Sequence, residues 1–397
     1  MKYEEIIHKG QRKILNHQGI TRDVQKLSSL RPLKKIITIL WGRKVGKTYT
    51  LFQLMQEAIQ SRLCKLEEII FIDFSELSYH TIDIDNLHQY ILSQGIKNPV
   101  YCFDEIQEVP DFDRQLISLY NQECKIFITG SNSKLLSSEL ATILRGKTYE
   151  LHQTPLSFGE FLRFKKYTTL PNDLVLDQLF DEFVNWWGYP EVVLTQDETV
   201  KRGILQGYID ILIFKDLIDR YKLRNQTLLQ SLMKSLILWN TKELNINKLF
   251  NTYKSQGIEV GKNTLYEYIE YIKHTFFLDT YNQFYKKAQF EKIYLIDNGF
   301  FNCFSGNTNR WQKFEAVFFH HFQKKLTHSG FVKEPFEIDF TDGKTNRQVC
   351  REINEDNRER ESKFSTAPQE NFLITRYSHN FHKENITMQN RKDSILR

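Results

Sequence analysis

Cysteine is scarce in this sequence, and what there is does not form a pattern. Five residues (Cys64, Cys102, Cys124, Cys303 and Cys350) are scattered over 397 positions, odd in number and without a C-x-x-C pair. That argues against a disulfide framework and against a zinc knuckle, and it suits a reducing cytosol. Long apolar runs are also missing. The N-terminal MKYEEIIHKGQRK lacks the apolar core of a signal peptide, and no later run approaches the roughly 18 residues that a membrane span requires. A soluble, cytoplasmic chain without a membrane partner is the expectation. Charge of one sign is lacking as well: 54 basic residues face 49 acidic ones, and the net charge of +5 is too mild to establish a nucleic-acid partner. No internal repeat or long low-complexity tract appears, although polar, charge-dense sequence gathers from about residue 341 onward.

Apolar residues make up 41% of the chain and aromatic residues 14%, enough for several cores and about two to four domains. The most informative stretch is LWGRKVGKTYT, residues 40–50. It follows the short apolar run IITIL (36–40) and precedes TLFQLMQEAIQSRL, whose apolar residues recur at helical spacing, so it joins a buried strand to a helix. A phosphate-binding loop reads G-x-x-x-x-G-K-[ST]; Gly46, Lys47 and Thr48 supply its second half, but Trp41 holds the first glycine position and Gly42 comes one step late. In such a loop the backbone N–H groups of Gly42, Arg43, Lys44, Val45 and Gly46 surround phosphate oxygens, and the following helix adds its positive dipole end. Lys47 would reach the β- and γ-phosphates of ATP, and the Thr48 hydroxyl would hold Mg²⁺. The first glycine chiefly lets the chain turn out of the strand, a task open to Gly42 because glycine tolerates positive φ. A bare G-K-T also arises by chance in basic loops; the strand before it and the helix after it favour nucleotide binding.

Three further apolar runs, IIFIDF (69–74), VYCF (100–103) and KIFITG (125–130), read as buried strands separated by helix-compatible sequence. This alternation predicts an α/β fold with a parallel sheet and helices on both faces. In PVYCFDEIQEV the strand delivers Asp104 and Glu105 at its C-terminal end, the edge where such sheets bind ligands. Asp104 is the candidate Mg²⁺ partner and Glu105 the candidate base that accepts a proton from, or orients, the attacking water. Acid pairs at strand ends also serve as helix caps. KIFITG leads to Thr129, Ser131 and Asn132, polar groups placed to sense the γ-phosphate or the water, while Ser133 would equally serve as a helix N-cap.

From about residue 156 the pattern turns helical, with LSFGEFLRF, DQLFDEFVNWW and ILQGYIDILIFKDLIDRY interrupted by the turn WGYPE. Three amphipathic segments, LLQSLMKSLILW, NINKLFNTYKSQG and NTLYEYIEYIKHT, then precede the strand-like FFLDTYNQF and KIYLID, which is the element order of a winged helix. Its third helix opens with Asn263 as the expected cap, preceded by Lys262. Glu267 and Glu270 on its exposed face oppose DNA binding, so a DNA partner and a protein partner both stay open. The adjacent His320 and His321 point in different directions from one helix and do not suggest a metal site.

Together GRKVGKT, FDEIQ, ITGSNSKLL, LRGK, PLSFGEFL, GYPEVV and YIDILIFKDLIDRY resemble the predicted AAA+ type P-loop ATPases of bacteria and archaea that carry a C-terminal domain of unknown function. The resemblance covers nearly the whole chain and implies a P-loop ATPase domain (31–155) after an N-terminal helical segment (1–30). A helical lid (156–225), a winged helix (226–287) and a restriction-endonuclease-like α/β domain (288–397) would follow. It implies Mg²⁺-dependent ATP hydrolysis, with ATP between the sheet edge and the lid, and oligomers in which an arginine of one subunit completes the next subunit's site. Members commonly carry arginine after the glycine of LRGK, where this chain has Lys147, which leaves Arg145 as the candidate arginine finger. A nuclease of the implied type would hold Mg²⁺ with Glu315, Asp339 and the acid of an E-x-K strand. The corresponding strand here reads Gln348-Val349-Cys350, without that acid or the lysine, so no cutting is expected. An adaptor or DNA-binding regulator that holds ATP with little turnover is the alternative function.

Overall fold

The computed structural model describes residues 3–30, 32–130, 144, 146–285, 291–306, 309–323, 326, 328–333, 337–350, 369–375 and 386–390. The chain divides into two compact units, residues 1–156 and 157–397.

In the first unit five strands form one parallel sheet: β1 (Ile36–Leu40), β2 (Ile69–Asp73), β3 (Val100–Asp104), β4 (Lys125–Thr129) and β5 (Thr148–His152), in the order β2-β3-β4-β1-β5. Four of these are the apolar runs of the sequence. Their side chains alternate between two cores, which is why they read as continuous apolar stretches rather than as one-faced strands. Ile37, Ile39, Phe71, Cys102 and Phe127 pack with Leu51, Leu54 and Met55 of the helix Lys47–Gln60. Ile36, Leu40, Ile70, Ile72, Phe103 and Ile128 pack on the other face with Leu87 and Ile91 of the helix Ile84–Ser93 and Leu116 and Leu119 of the helix Phe112–Asn121. Helices therefore cover both faces, as the alternation predicts.

The N-terminal helix Tyr3–Leu15 lies against β2. Gly10 allows this approach, because a Cβ there would fall 2.2 Å from the Phe71 carbonyl oxygen. Gln11 donates to the carbonyls of Leu66 (3.2 Å) and Ile69 (3.4 Å), and Lys13 pairs with Asp73 at 3.1 Å.

The second unit begins with helices Phe158–Phe164, Asp173–Trp186 and Glu198–Ile211, the last continuing into a π-helical stretch Leu212–Ile218. Ser157 and Glu160 close a capping box at the first of these, and Phe158, Phe161, Phe180, Phe183 and Trp187 meet ring to ring. Helices Gln226–Leu238, Ile246–Ser255 and Lys262–Lys273 precede an antiparallel pair, β6 (Leu278–Asn282) and β7 (Glu291–Leu295). Residues 242–244 add to β7 as well: Leu244 N–H donates to Glu291 O (2.8 Å) and Ile293 N–H to Lys242 O (2.9 Å). The third helix is capped differently from the expectation. It starts at Lys262 with Gly261 in the cap position and no side-chain cap, so Asn263 already sits inside the first turn.

After helices Asn298–Ser305 and Arg310–Gln323 comes a mixed sheet, β12 (Ile386–Asn390), β11 (Glu370–Thr375), β10 (Thr345–Val349), β9 (Ile338–Thr341) and β8 (Gly330–Val332) in that order. Asp297 ties this part to the helices before it, accepting N–H bonds from Gly299 (2.7 Å) and Gly188 (2.8 Å) while fully buried. His320 donates to Leu295 O at 2.8 Å and packs edge-on against Trp187, a structural role. No helix among the described residues is long and apolar enough to cross a membrane.

Candidate functional site: the phosphate loop and the acids beside it

Because the first sheet is parallel, β1, β3 and β4 end at the same edge, and that edge gathers the residues the sequence singles out. β1 runs into the loop 41–46, and Lys47 and Thr48 open the helix Lys47–Gln60. The left-handed positions of the loop are Lys44 (φ 65°) and Gly46 (φ 97°). This corrects the expectation for Gly42: the freedom of glycine is used at 46. The Trp41 indole stands edge-on to His152 of β5, ring centroids 5.8 Å apart.

The buried Lys47 folds back over the loop, its Nζ donating to the carbonyls of Gly42 (2.9 Å) and Trp41 (3.1 Å). Thr48 Oγ1 donates to Asp104 Oδ2 at 2.6 Å, and the Thr129 hydroxyl donates to the other oxygen of the same carboxylate. The ends of β3 and β4 and the first turn of the helix after β1 thus converge on one acid. Burial above all, with Glu105 and Asp73 adding to it, holds the Asp104 carboxyl up at about 6 against the downward pull of the two hydroxyls.

Glu105 follows in the left-handed region at φ 52°, an unusual conformation for a residue with a side chain. Its N–H donates to Thr129 Oγ1 (3.2 Å), and Gln107 Nε2 donates to its carboxylate. Ser131, Asn132 and Arg145 lie outside the described residues.

One residue that sequence reasoning missed belongs to this edge. Arg22, buried and far from the loop in sequence, donates through Nη1 to Val45 O (2.8 Å) and through Nη2 to Thr154 O (2.7 Å), while Gln53 holds its backbone at both N–H and C=O. A planar cation bonded to a loop carbonyl fixes the direction of the peptide planes whose N–H groups line the cradle. No local motif announces it; a lone arginine between polar residues looks like surface. Arg22→Ala leaves the Val45 and Thr154 carbonyls without this donor, so a stability loss of ~1–3 kcal/mol and weaker nucleotide binding are expected, with little recovery in Arg22→Lys, whose ammonium cannot span both acceptors. Thermal melts and nucleotide titration of both variants check this; an unchanged affinity in Arg22→Ala would remove the loop-positioning role.

In the second unit Glu315 and Asp339 do come together. Gln348 Oε1 accepts the Asp339 N–H (3.2 Å), and Cys350 is buried.

Residues 33–162 match the family described as AAA domain, and residues 177–310 match a Domain of unknown function (DUF8612). An uncharacterized protein of Methanocaldococcus jannaschii is 31% identical over 385 residues, covering 91% of this chain and 84% of that protein. The chain belongs to this family of AAA-domain proteins with a C-terminal domain of unknown function. A second relative, an uncharacterized protein of Haemophilus influenzae, is 28% identical over 294 residues and 70% of each chain. Among solved structures, AMPPCP-bound DnaA from Aquifex aeolicus is similar at a TM-score of 0.31 and 14% identity, covering 62% of this chain and 84% of that one. The Aeropyrum pernix ORC1 protein in complex with DNA is similar at a TM-score of 0.30 and 12% identity, covering 75% and 96%. The AAA-domain match and the parallel sheet with its loop after β1 point to nucleotide binding by the first unit.

Proposed function

We propose that the chain is a Mg²⁺-dependent ATPase whose nucleotide cycle moves its C-terminal interaction segments. The observation that carries this reading is the 2.6 Å bond between Thr48 of the loop and Asp104 of β3, which joins the two halves of a nucleotide site from distant parts of the sequence. A hydroxyl and a carboxylate are hard oxygen donors of the kind Mg²⁺ prefers, so this pair fits the ion that accompanies ATP. Bound there with ATP, the ion would offset charge on the β- and γ-phosphates.

The remaining steps fall to the chain's own groups. Backbone N–H groups of residues 42–46 receive the phosphate oxygens, and Lys47 exchanges its two carbonyl partners for them. Glu105 orients a water toward the γ-phosphorus and accepts its proton as the P–O bond to ADP breaks. Thr129 bonds both Asp104 and the Glu105 backbone, which keeps the two acids in register. Steady-state phosphate release by the purified chain, stopped by chelation of Mg²⁺, is the test. Tight ATP binding with no release above background would favour the adaptor reading instead.

The three helices and the β6–β7 pair support a winged-helix module that docks a protein more readily than DNA. On its third helix Glu267 and Glu270 are exposed, and Lys273 is engaged by Glu270 (2.8 Å) and Glu291 (3.0 Å). Duplex binding should therefore be weak and nearly flat in a salt titration. A steep dependence, about −0.9 in log–log slope for each phosphate neutralised, would restore the DNA-reading role.

A further inference from the structure

The carboxylate centre of the second unit contains a lysine that no reading of the E-x-K strand could supply. Lys292 comes from β7, and its Nζ lies 3.3 Å from Glu315 Oε1, 3.4 Å from Asp339 Oδ1 and 3.1 Å from Glu337 Oε1. The side chains of Lys292, Glu315 and Asp339 are each about 5–6% exposed, whereas Glu337 stands at the rim, 61% exposed. The Phe331 ring lies 5.3 Å from the ammonium. Two further donors reach the buried acids: Tyr294 O–H donates to the same Glu315 Oε1 (2.7 Å), and Val349 N–H donates to Asp339 Oδ2 (3.0 Å).

We propose that Lys292 is the resident cation of this centre, standing between Glu315 and Asp339 where a divalent ion would have to bind. The chemistry of the donor set supports this. An ammonium distributes three N–H bonds at hydrogen-bond distance, and three carboxylate oxygens meet it here; Mg²⁺ needs oxygens at about 2.0–2.1 Å in octahedral array, and the amine fills that volume. Two buried carboxylates without a cation would repel each other strongly, so the lysine is what lets them be buried together. Burial and the neighbouring Glu315 push the Asp339 carboxyl up, and the Lys292 ammonium and the Val349 N–H oppose that rise. Burial works against the charge on Lys292, but Glu315, Asp339 and Glu337 outweigh it and hold the amine protonated. The centre is thus an ion-pair lock between β7, the helix Arg310–Gln323 and β9. The metal site implied by the resemblance to nucleases does not fit the residues present. This inference is independent of the ATPase reading.

Removing the lysine should open the site. Mn²⁺ titration of the full chain without nucleotide, read by the loss of the free-ion EPR signal, compares wild type with Asp339→Asn, Lys292→Ala and the double variant. Wild type and Asp339→Asn should bind equally. Lys292→Ala should gain about one Mn²⁺ per chain, lost again in the double variant, and Mn²⁺ should raise the melting temperature of Lys292→Ala but not of wild type. A Mn²⁺ ion held by wild type and released by Asp339→Asn would overturn the proposal, as would a folded Lys292→Ala variant that binds no more than wild type. Should Lys292→Ala fail to fold, the comparison of wild type with Asp339→Asn still decides the matter.

Discussion

Lys47→Ala should lose ATP binding by roughly 100-fold or more while remaining folded. The Lys47 ammonium bonds two carbonyls of its own loop, at 2.9 and 3.1 Å. Those bonds preorganise the amine at the mouth of the cradle, and their loss should cost the fold only about 1 kcal/mol. Against a polyphosphate the same amine makes charge-assisted bonds to oxygens carrying full negative charge, worth ~1.5–3 kcal/mol each. Losing them while the backbone N–H groups remain gives ~3 kcal/mol, which is the 100-fold quoted. Calorimetric titration with ATP, with a melt to show that the fold persists, measures both halves. A folded Lys47→Ala chain that binds ATP as tightly as wild type would remove the loop from the nucleotide site altogether.

The outline of this site was legible because its parts are local. A strand, a glycine-lysine-threonine turn and a helix adjoin one another in sequence, and β3 carries its two acids on its own end, so pattern alone assigns Asp104 and Glu105 to the ligand edge of a parallel sheet. What stayed hidden is long-range. Strand order is a tertiary property, and nothing in IITIL says that β1 pairs with β4 on one side and β5 on the other. β5 itself has little signal in sequence, because Thr148–His152 is an edge strand with half-exposed and exposed positions, and TYELH lacks the apolar density of the other four strands. Arg22 and Lys292 were illegible for the same reason. Each finds its partners far away in the chain, Val45 and Thr154 for one, Glu315 and Asp339 for the other, and a single basic residue in sequence looks solvated. Proximity to the strand favours Gly42 for the turn, but the backbone takes its left-handed steps at Lys44 and Gly46, a choice set by the closed loop and not by the nearest glycine.

Glu105→Gln should bind ATP with wild-type affinity and lose turnover by about 10²–10⁴-fold, the usual worth of a positioned general base. The two side chains have the same shape, and the amide can keep an oxygen toward Gln107 Nε2, so the local bonds survive while proton acceptance does not. The backbone supplies an independent check. At φ 52° a residue with a Cβ is strained, and glycine is not. Glu105→Gly should therefore be as inactive as Glu105→Gln while losing less stability than removal of a half-buried side chain would normally cost, since relief of ~1 kcal/mol of strain offsets the lost contacts. That pairing separates a strained catalytic position from an ordinary cap: a cap glutamate replaced by glutamine or glycine would alter the melting temperature and leave phosphate release alone. Single-turnover and steady-state phosphate release on both variants, beside their melts, decide between the two. Unchanged turnover in Glu105→Gln would assign the base elsewhere and leave Asp104 as the one acid of the pair bound into the site.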